Sequence, residues 1–412
     1  MRVRRSHLCL LSVRDDDVLD IDALLQGDAT VVTQPRLIGL TGGSGNEIRL
    51  DDEMFEVLRG VASTDWVSKK KLVKRLGFSG TAIDRLVKAG LLVSDKKSTK
   101  HTRIRSEDNA MRRTGWNIPA AAYHRTSSWL NFKAPPTPDA PPARLHQELL
   151  RESRCAIDKR IRQSGPPPSH FHNRRENPDV ELPAPPRRSS LHQLLLARKS
   201  TRAFDVGCDL TVEQLNTVLY YTFGCHGIKT IAPPLACQKK TSPAGGAMHA
   251  TEVYPLISRV EGIAPGIYHY RTQDHALELI EALSVGQAAK LVTKFSAGQE
   301  YFAAAPVCLF FTCRFERLNY KYPEHAKAYK VAMMDVAHLS QTAYLVCTEL
   351  ELGACFYGAI NDDNINRRLG LDGVSEGALA AFALGHPDPR GDGQEFSYEP
   401  YDPVAERRSG SR

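Results

Sequence analysis

No stretch of this 412-residue chain approaches the roughly 18 to 20 uninterrupted apolar residues of a membrane-spanning helix, and the longest apolar run, around Ala303 to Phe311, is about half that. A helical membrane span is therefore not expected. No CxxC spacing joins any of the nine cysteines. Free thiols in a reducing cytoplasm are expected, rather than a disulfide framework or a structural zinc. No small-residue cleavage site follows the basic and then apolar segment Met1 to Val13, and Arg14-Asp15-Asp16-Asp17 cuts the apolar run short. That segment is read as a first β-strand and not as a signal peptide. Nor is there a large excess of one charge. A net charge of +7 can assist binding of an acidic peptide or a phosphate-bearing group but falls short of a nucleic-acid signature. What is present, 42% hydrophobic and 25% charged residues, suffices for filled cores in two or three domains.

Proline marks the joints. The runs Ala134 to Pro142, Gly165 to Pro168 and Leu182 to Pro186 flank one segment in which Leu145, Leu149, Ile157 and Ile161 recur at near-helical spacing. The chain divides accordingly into residues 1–130, a proline-rich linker with one helix over 131–188, a second domain over 189–400, and a disordered tail over 401–412. In the first domain Met54, Leu58 and Val61 form one helical stripe, Leu72, Val73 and Leu76 another, and Ile83, Leu86 and Val87 a third, before the strand-like Gly90-Leu91-Leu92-Val93. This order predicts a winged-helix-like domain. The cluster Lys69 to Lys71 with Lys74 and Arg75 would suit DNA phosphates. The third helix, however, carries Asp84 between few base-reading side chains. The expected use is therefore capture of an extended peptide by strand addition, with nucleic acid not expected as a partner.

The second domain opens with a helix from Ser190, at whose end Arg198, Ser200 and Arg202 alternate. On an extended backbone the three would project to one side, two guanidiniums and a hydroxyl able to hold a phosphate and a polyhydroxyl chain. The rival reading is a basic helix end complementing the macrodipole. In Thr241-Ser242-Pro243-Ala244-Gly245-Gly246-Ala247-Met248-His249, Pro243 fixes φ, and Gly245 with Gly246 permits a tight turn that lets backbone amides approach a planar ring. Glu252 to Ile257 and Gly266 to Tyr270 read as a hairpin continuing toward Leu277 to Ile280.

Taken in order, these motifs resemble the nitroreductase superfamily and, within it, the azoline dehydrogenases of ribosomal peptide maturation. The resemblance rests on R-K-S-x-R-x-F at Arg198 to Phe204, S-P-x-G-G-x-x-H at Ser242 to His249, E-x-Y at Glu252 to Tyr254 and G-x-Y-H-Y at Gly266 to Tyr270. It continues through Lys321-Tyr322, Ala328-Tyr329-Lys330, Asp335 to His338 and Leu352 to Gly358. It covers about residues 190 to 390 and departs at Ala250 and Ala244, where the family usually carries proline and serine. It implies an α+β nitroreductase-like FMN fold, a mixed and mainly antiparallel sheet with flanking helices, preceded by the winged-helix-like domain. It also implies a homodimer with FMN at the subunit interface. Arg198, Ser200, Arg202, Ser242, Pro243, Gly245 and Gly246 would hold the flavin, Gly358 would offer an amide to flavin N5, and Arg390 would lie near the phosphate.

Oxidation of a thiazoline or oxazoline to the azole removes a proton from one ring carbon and a hydride from its neighbour, so a base must face the ring opposite a hydride acceptor. Tyr322 is the expected base, because the ammonium of Lys321 beside it favours the phenolate and lowers a pKa of about 10. The reverse assignment, Lys321 as base oriented by Tyr322, stays open, as does a plain surface turn over Asn319 to Pro323. No metal is expected: Asp335 and His338 lie one turn apart on an apolar helix, with His325 outside it. Cys225 with His226, and Cys355, are read as structural. The expected enzyme acts on a ribosomal precursor peptide whose rings a cyclodehydratase partner installs. The alternatives are an NAD(P)H-dependent FMN reductase of nitro or quinone compounds and a winged-helix DNA-binding redox regulator.

Overall fold

The computed structural model describes residues 1–19, 30–41, 47–78, 80–133, 142–169, 171, 179–180, 182–183, 189–233 and 235–390. The start of the chain forms β1 (Arg2–Arg5), followed by a long antiparallel ladder of β2 (Cys9–Leu19) on β3 (Val31–Thr41), with the short β4 (Glu47–Arg49) added at the β3 edge. The three stripes become α1 (Asp52–Arg59), α2 (Lys69–Leu76) and α3 (Gly80–Ala89), with β5 (Val67–Ser68) before α2 and β6 (Leu92–Ser94) after α3. Side chains start two of the helices. Asp51 accepts from the Met54 amide at 2.8 Å and Ser68 from the Lys71 amide at 3.2 Å, each satisfying one of the orphan donors of a first turn. Val3, Met54, Leu58, Leu72, Ile83 and Leu86 share one small core beneath the sheet β5-β1-β6. The basic cluster is partly committed within this unit, since Lys69 pairs with Asp84 at 2.6 Å.

Two helices follow, α4 (Thr99–Arg113) and α5 (Ile118–Ser127), and they belong by packing to what comes later. Ala110, Met111, Trp116, Ala121 and Ala122 share a core with Phe315, Tyr329 and Val374. These side chains, on the N-terminal side of the boundary drawn at residue 130, are thus buried against elements of the second domain. In the linker α6 (Pro142–Ser164) is the expected helix, but Ile157 and Ile161 on it are exposed. The tail drawn at 401–412 lies outside the described residues.

After α7 (Ser190–Ala197) and α8 (Val212–Phe223) comes a separate hairpin, β7 (Gly227–Ala232) with β8 (Leu235–Lys239). The central sheet comprises β9 (Thr251–Ile257), β10 (Gly266–Arg271), β11 (Ala276–Ala282), β12 (Val307–Arg314), β13 (Gly353–Tyr357) and β14 (Glu376–Gly385), in the order β11-β10-β9-β12-β14-β13 with antiparallel neighbours throughout. The strands β12 and β14 read as continuous apolar runs because both faces are covered. On one face Leu309, Phe311 and Phe382 meet α8 and the long α11; on the other Cys308, Phe310 and Ala381 meet α9 (Val285–Phe295) and α12. Here α10 is Phe315–Lys321, α11 is Ala328–Glu349 and α12 is Asp362–Leu369. This is the α+β nitroreductase-like architecture that the motifs led one to expect.

Candidate active site

Helix α11 is the spine of the site. Ala332, Val336, Leu339, Ala343 and Cys347 bury one stripe in the core, while polar groups beside that stripe hold strand β13 and two of the three segments that build the site. The Asp335 carboxylate accepts the Gly245 amide at 2.9 Å. Thr342 Oγ1 and Ser242 Oγ lie 2.6 Å apart. The Tyr344 hydroxyl accepts the Phe356 amide at 2.7 Å and lies 2.9 Å from Ser200 Oγ. Asp335 and Tyr344 stand nine positions apart, so the spine fixes these contacts over about 14 Å of helix.

The first segment is Arg198 to Arg202. The Arg198 amide closes α7 on the Leu194 carbonyl at 3.1 Å, and its guanidinium lies over the Tyr344 ring, 5.2 Å from the centroid. Between the arginines the Thr201 amide bonds the Ala354 carbonyl at 2.7 Å, fastening the segment to β13. Arg202 is close enough to counter, in part, the burial that pushes the Cys355 thiol up. A thiol so raised is a poor nucleophile. Strand β13 runs out at Gly358, where a side chain would meet no atom within 4 Å, so its backbone faces open space. The terminal turn packs alongside, with the Asp388 amide on the Ala203 carbonyl at 3.0 Å. Its Arg390 is exposed and turned onto Asp388, with Nε to Oδ1 at 3.2 Å.

The second segment is the loop Ser242 to His249. Ser242 is buried and its hydroxyl is directed to α11, while Pro243 and Gly246 are exposed. The turn needs both glycines. A β-carbon at Gly245 would collide with Val331, and at Gly246, whose φ is +59°, it would collide with the Tyr322 hydroxyl and Lys321 Nζ. The turn also carries Ala247 at φ +58° and His249 at φ +44°. Burial, with the nearby Lys240 and Arg317 cations, pushes the His249 imidazole down to about 4 and keeps it neutral at ordinary pH.

The third segment brings Lys321 and Tyr322 to that turn. Asn319 to Lys321 are the end of α10 and not a free surface turn, and the Tyr322 amide closes the helix on the Leu318 carbonyl at 3.3 Å. Lys321 Nζ donates to the Gly246 carbonyl at 2.8 Å and lies 5.6 Å from the Tyr322 ring centroid. Two motifs separated by about 75 residues thus meet at one glycine. An amine and a phenol stand against a loop with accessible backbone, while guanidiniums and the open Gly358 lie along the segment fastened to β13. Such a set can hold an anionic, planar group and move a proton beside it.

Reading the residues alone missed the part Asp335 plays. Declined with His338 as a metal ligand, it holds the loop amide through its carboxylate, even though burial raises its pKa. The seven-residue step from Asp335 to Thr342, two helical turns, was the available signal. Tyr344 carried no comparable signal.

Residues 195–386 match the family model described as "Nitroreductase family". The chain is 28% identical over 195 residues to "Putative nitroreductase MJ1384" of Methanocaldococcus jannaschii, covering 47% of this chain and 87% of that protein. It is 30% identical over 151 residues to the trifolitoxin-processing protein TfxB of Rhizobium leguminosarum bv. trifolii, covering 35% of this chain but only 39% of that protein. A crystal structure titled as a putative nitroreductase from Anabaena variabilis is 26% identical with a TM-score of 0.41, over 48% of this chain and 38% of that one. Residues 195–386, a little under half of the chain, are thus similar to the nitroreductase family.

Proposed function

We propose that this nitroreductase-family oxidoreductase uses FMN to oxidise thiazoline or oxazoline rings in a ribosomally made precursor peptide to azoles. The observation that carries the proposal is the meeting of Lys321 and Tyr322 with Gly246, which sets a proton-accepting pair against the loop suited to a flavin. The trifolitoxin-processing relative supports a peptide substrate. The residues present fit FMN: two guanidiniums on the segment fastened to β13, an open backbone at Gly358 and an exposed Gly246. Bound there, FMN would supply the hydride acceptor.

The remaining steps fall to the chain. Arg198 and Arg202 would bind the phosphate and the electron-rich edge of the ring, with Arg390 beside them on the terminal turn. Ser200, Ser242, Pro243, Gly245 and Gly246 would seat the cofactor, Ser242 through its backbone because its hydroxyl is engaged by Thr342. Tyr322 would take the ring proton while Lys321, held by the Gly246 carbonyl, steadies the phenolate. One ring carbon would lose its proton to this pair as the neighbouring carbon gives up a hydride, and a carbon–carbon double bond would form between the two. Residues 1–130 would hold the peptide, a cyclodehydratase would supply the rings, and two copies would form the working unit in the cytoplasm.

The test is to purify the chain without added cofactor, record its visible spectrum and identify any released chromophore by mass. A synthetic thiazoline peptide is then incubated with the protein. FMN release and a product lighter by two hydrogens support the proposal. A colourless protein that refuses added FMN overturns it. Turnover of a nitroarene with NAD(P)H, with the thiazoline peptide untouched, would favour the small-molecule reductase.

A further inference from the structure

Three consecutive residues outside the family's matched span grip the connection that carries Tyr322. The Gly115 carbonyl accepts the Glu324 amide at 2.7 Å, and Asn117 Nδ2 donates to the Glu324 carbonyl at 3.2 Å. Glu324 itself sits at φ +54°, a left-handed conformation that a glutamate adopts only when its surroundings impose it. Between these two bonds Trp116 is buried as a wedge. Its ring centroid lies 4.5 Å from that of Phe315 and 5.7 Å from that of Tyr329, and its Nε1 donates to the Val374 carbonyl at 2.9 Å. Phe315 begins α10, which ends in Lys321, and Tyr329 lies at the start of α11, which carries Asp335. The strap thus touches the start of both helices and the turn between them.

We infer that Gly115, Trp116 and Asn117 position the Lys321–Tyr322 pair against Gly246, with Asn117 as a positioning residue that touches no reacting atom. The strap continues directly from α4, whose Asp108 is fixed to Arg4, Ser6 and His7. Placement of the pair is therefore tied to the seating of the N-terminal strand. The catalytic meaning of the inference rests on the proposed role of Lys321 and Tyr322; the positional claim stands on geometry alone.

Asn117→Asp separates the two jobs of this side chain. An aspartate still accepts the Ala120 amide as the cap of α5, which the asparagine Oδ1 does at 3.2 Å, but it cannot donate to Glu324. Should that variant fail to fold, Asn117→Ser keeps a cap acceptor, is too short to reach Glu324, and is read in its place. The first readout needs no substrate: acetylation of lysines by N-hydroxysuccinimidyl acetate, followed by mass spectrometry on the full chain. Severalfold faster labelling of Lys321, with buried Lys240 and exposed Lys290 unchanged, is expected. Unchanged Lys321 labelling, or a common rise at all three, overturns the inference. The second readout is turnover of a thiazoline peptide deuterated at the carbon that loses the proton. A kcat lowered about tenfold to a hundredfold with a larger isotope effect and unaltered KM is expected. A wild-type kcat and isotope effect in the variant, while Tyr322→Phe and Lys321→Met are inactive, defeats positioning but leaves the proposed function intact. Full activity in those last two variants removes the proposed base instead, and the labelling result still decides the strap.

Discussion

Lys321 Nζ reaches the carbonyl of Gly246 at 2.8 Å, so the amine of one motif is anchored by the backbone of the other. Gly246→Ala strikes this contact from two sides. Its φ of +59° costs an L-residue about 1 kcal/mol, and the new methyl displaces both Lys321 Nζ and the Tyr322 hydroxyl. Peptide oxidation is expected to fall about a hundredfold, with thermal unfolding shifted by only a few degrees. A variant equally unstable but fully active would show that the pair need not sit against this glycine.

Tyr322→Phe and Lys321→Met distinguish the two assignments of the base. If the phenol takes the proton, losing it costs about a hundredfold to ten-thousandfold in kcat, as removal of a general base does. Replacing the lysine then costs less, because an orienting partner is lost and the phenol remains. Steady-state kinetics on both variants reads the order directly. The inverse order assigns the proton to Lys321.

Asp335 gives a prediction in which shape and charge part. Asp335→Asn keeps an acceptor for the Gly245 amide, whereas Asp335→Ala leaves that donor unpaired beside the spine. The alanine variant is expected to lose about 1–3 kcal/mol of stability and to loosen the loop; the asparagine variant keeps most of both. The pH response follows from burial, which raises the folded carboxyl above its unfolded value. Between those two values the folded state holds more protons, so this group's contribution to stability falls as pH rises through the window. Asp335→Asn should flatten that limb in urea titrations; an unchanged limb would mean that the carboxyl is not desolvated.

His124 has the opposite slope. It stacks on Trp116 with centroids 5.2 Å apart and places Nε2 2.8 Å from the Gly373 carbonyl and Nδ1 3.1 Å from the Tyr329 hydroxyl. Complete burial pushes its imidazole down to about 4. The unfolded chain, with its histidine near 6.5, takes up the proton first as the medium is acidified. The stabilising contribution is present in full above about 6.5 and is lost toward pH 4, amounting to about 3 kcal/mol across that window. His124→Gln should be less stable at neutral pH yet show a shallower acid limb in urea midpoints measured from pH 4 to 8.

Much of this arrangement was legible before any coordinates. The stripes through Leu58, Leu72 and Leu86 became helices with those residues in one core, and the Gly266 to Tyr270 segment paired as the expected hairpin. These features depend on spacing within a short window. The meeting of Gly246 with Tyr322 was legible only as two motifs suited to one task. The contact of Asn117 with Glu324 was not legible at all, since the acceptor of its side-chain amide is a backbone carbonyl 207 residues away that any sequence supplies. The packing across the domain division drawn at residue 130 was hidden for the same reason. Trp116 and Ala121 look like any apolar helix residues, and only their packing on Phe315 and Tyr329 shows that a cut at residue 130 would strip the second domain of part of its core.

The ion pair of Arg4 with Asp108 is where the N-terminal strand meets that core. Both side chains are only 4% exposed and their charged atoms lie 2.5 Å apart. Asp108 also accepts from Ser6 Oγ at 2.9 Å and the His7 amide at 2.6 Å, and Arg4 donates to Asn109 Oδ1 at 2.7 Å. Removing one partner strands a buried charge, so Arg4→Met and Asp108→Asn are each expected to cost about 3–5 kcal/mol. The double variant should cost less than the sum, because the second change removes the charge that the first left uncompensated. Urea unfolding of the full chain measures all three. Strict additivity would mean that the two groups do not sense each other and that the strand is seated by its other contacts.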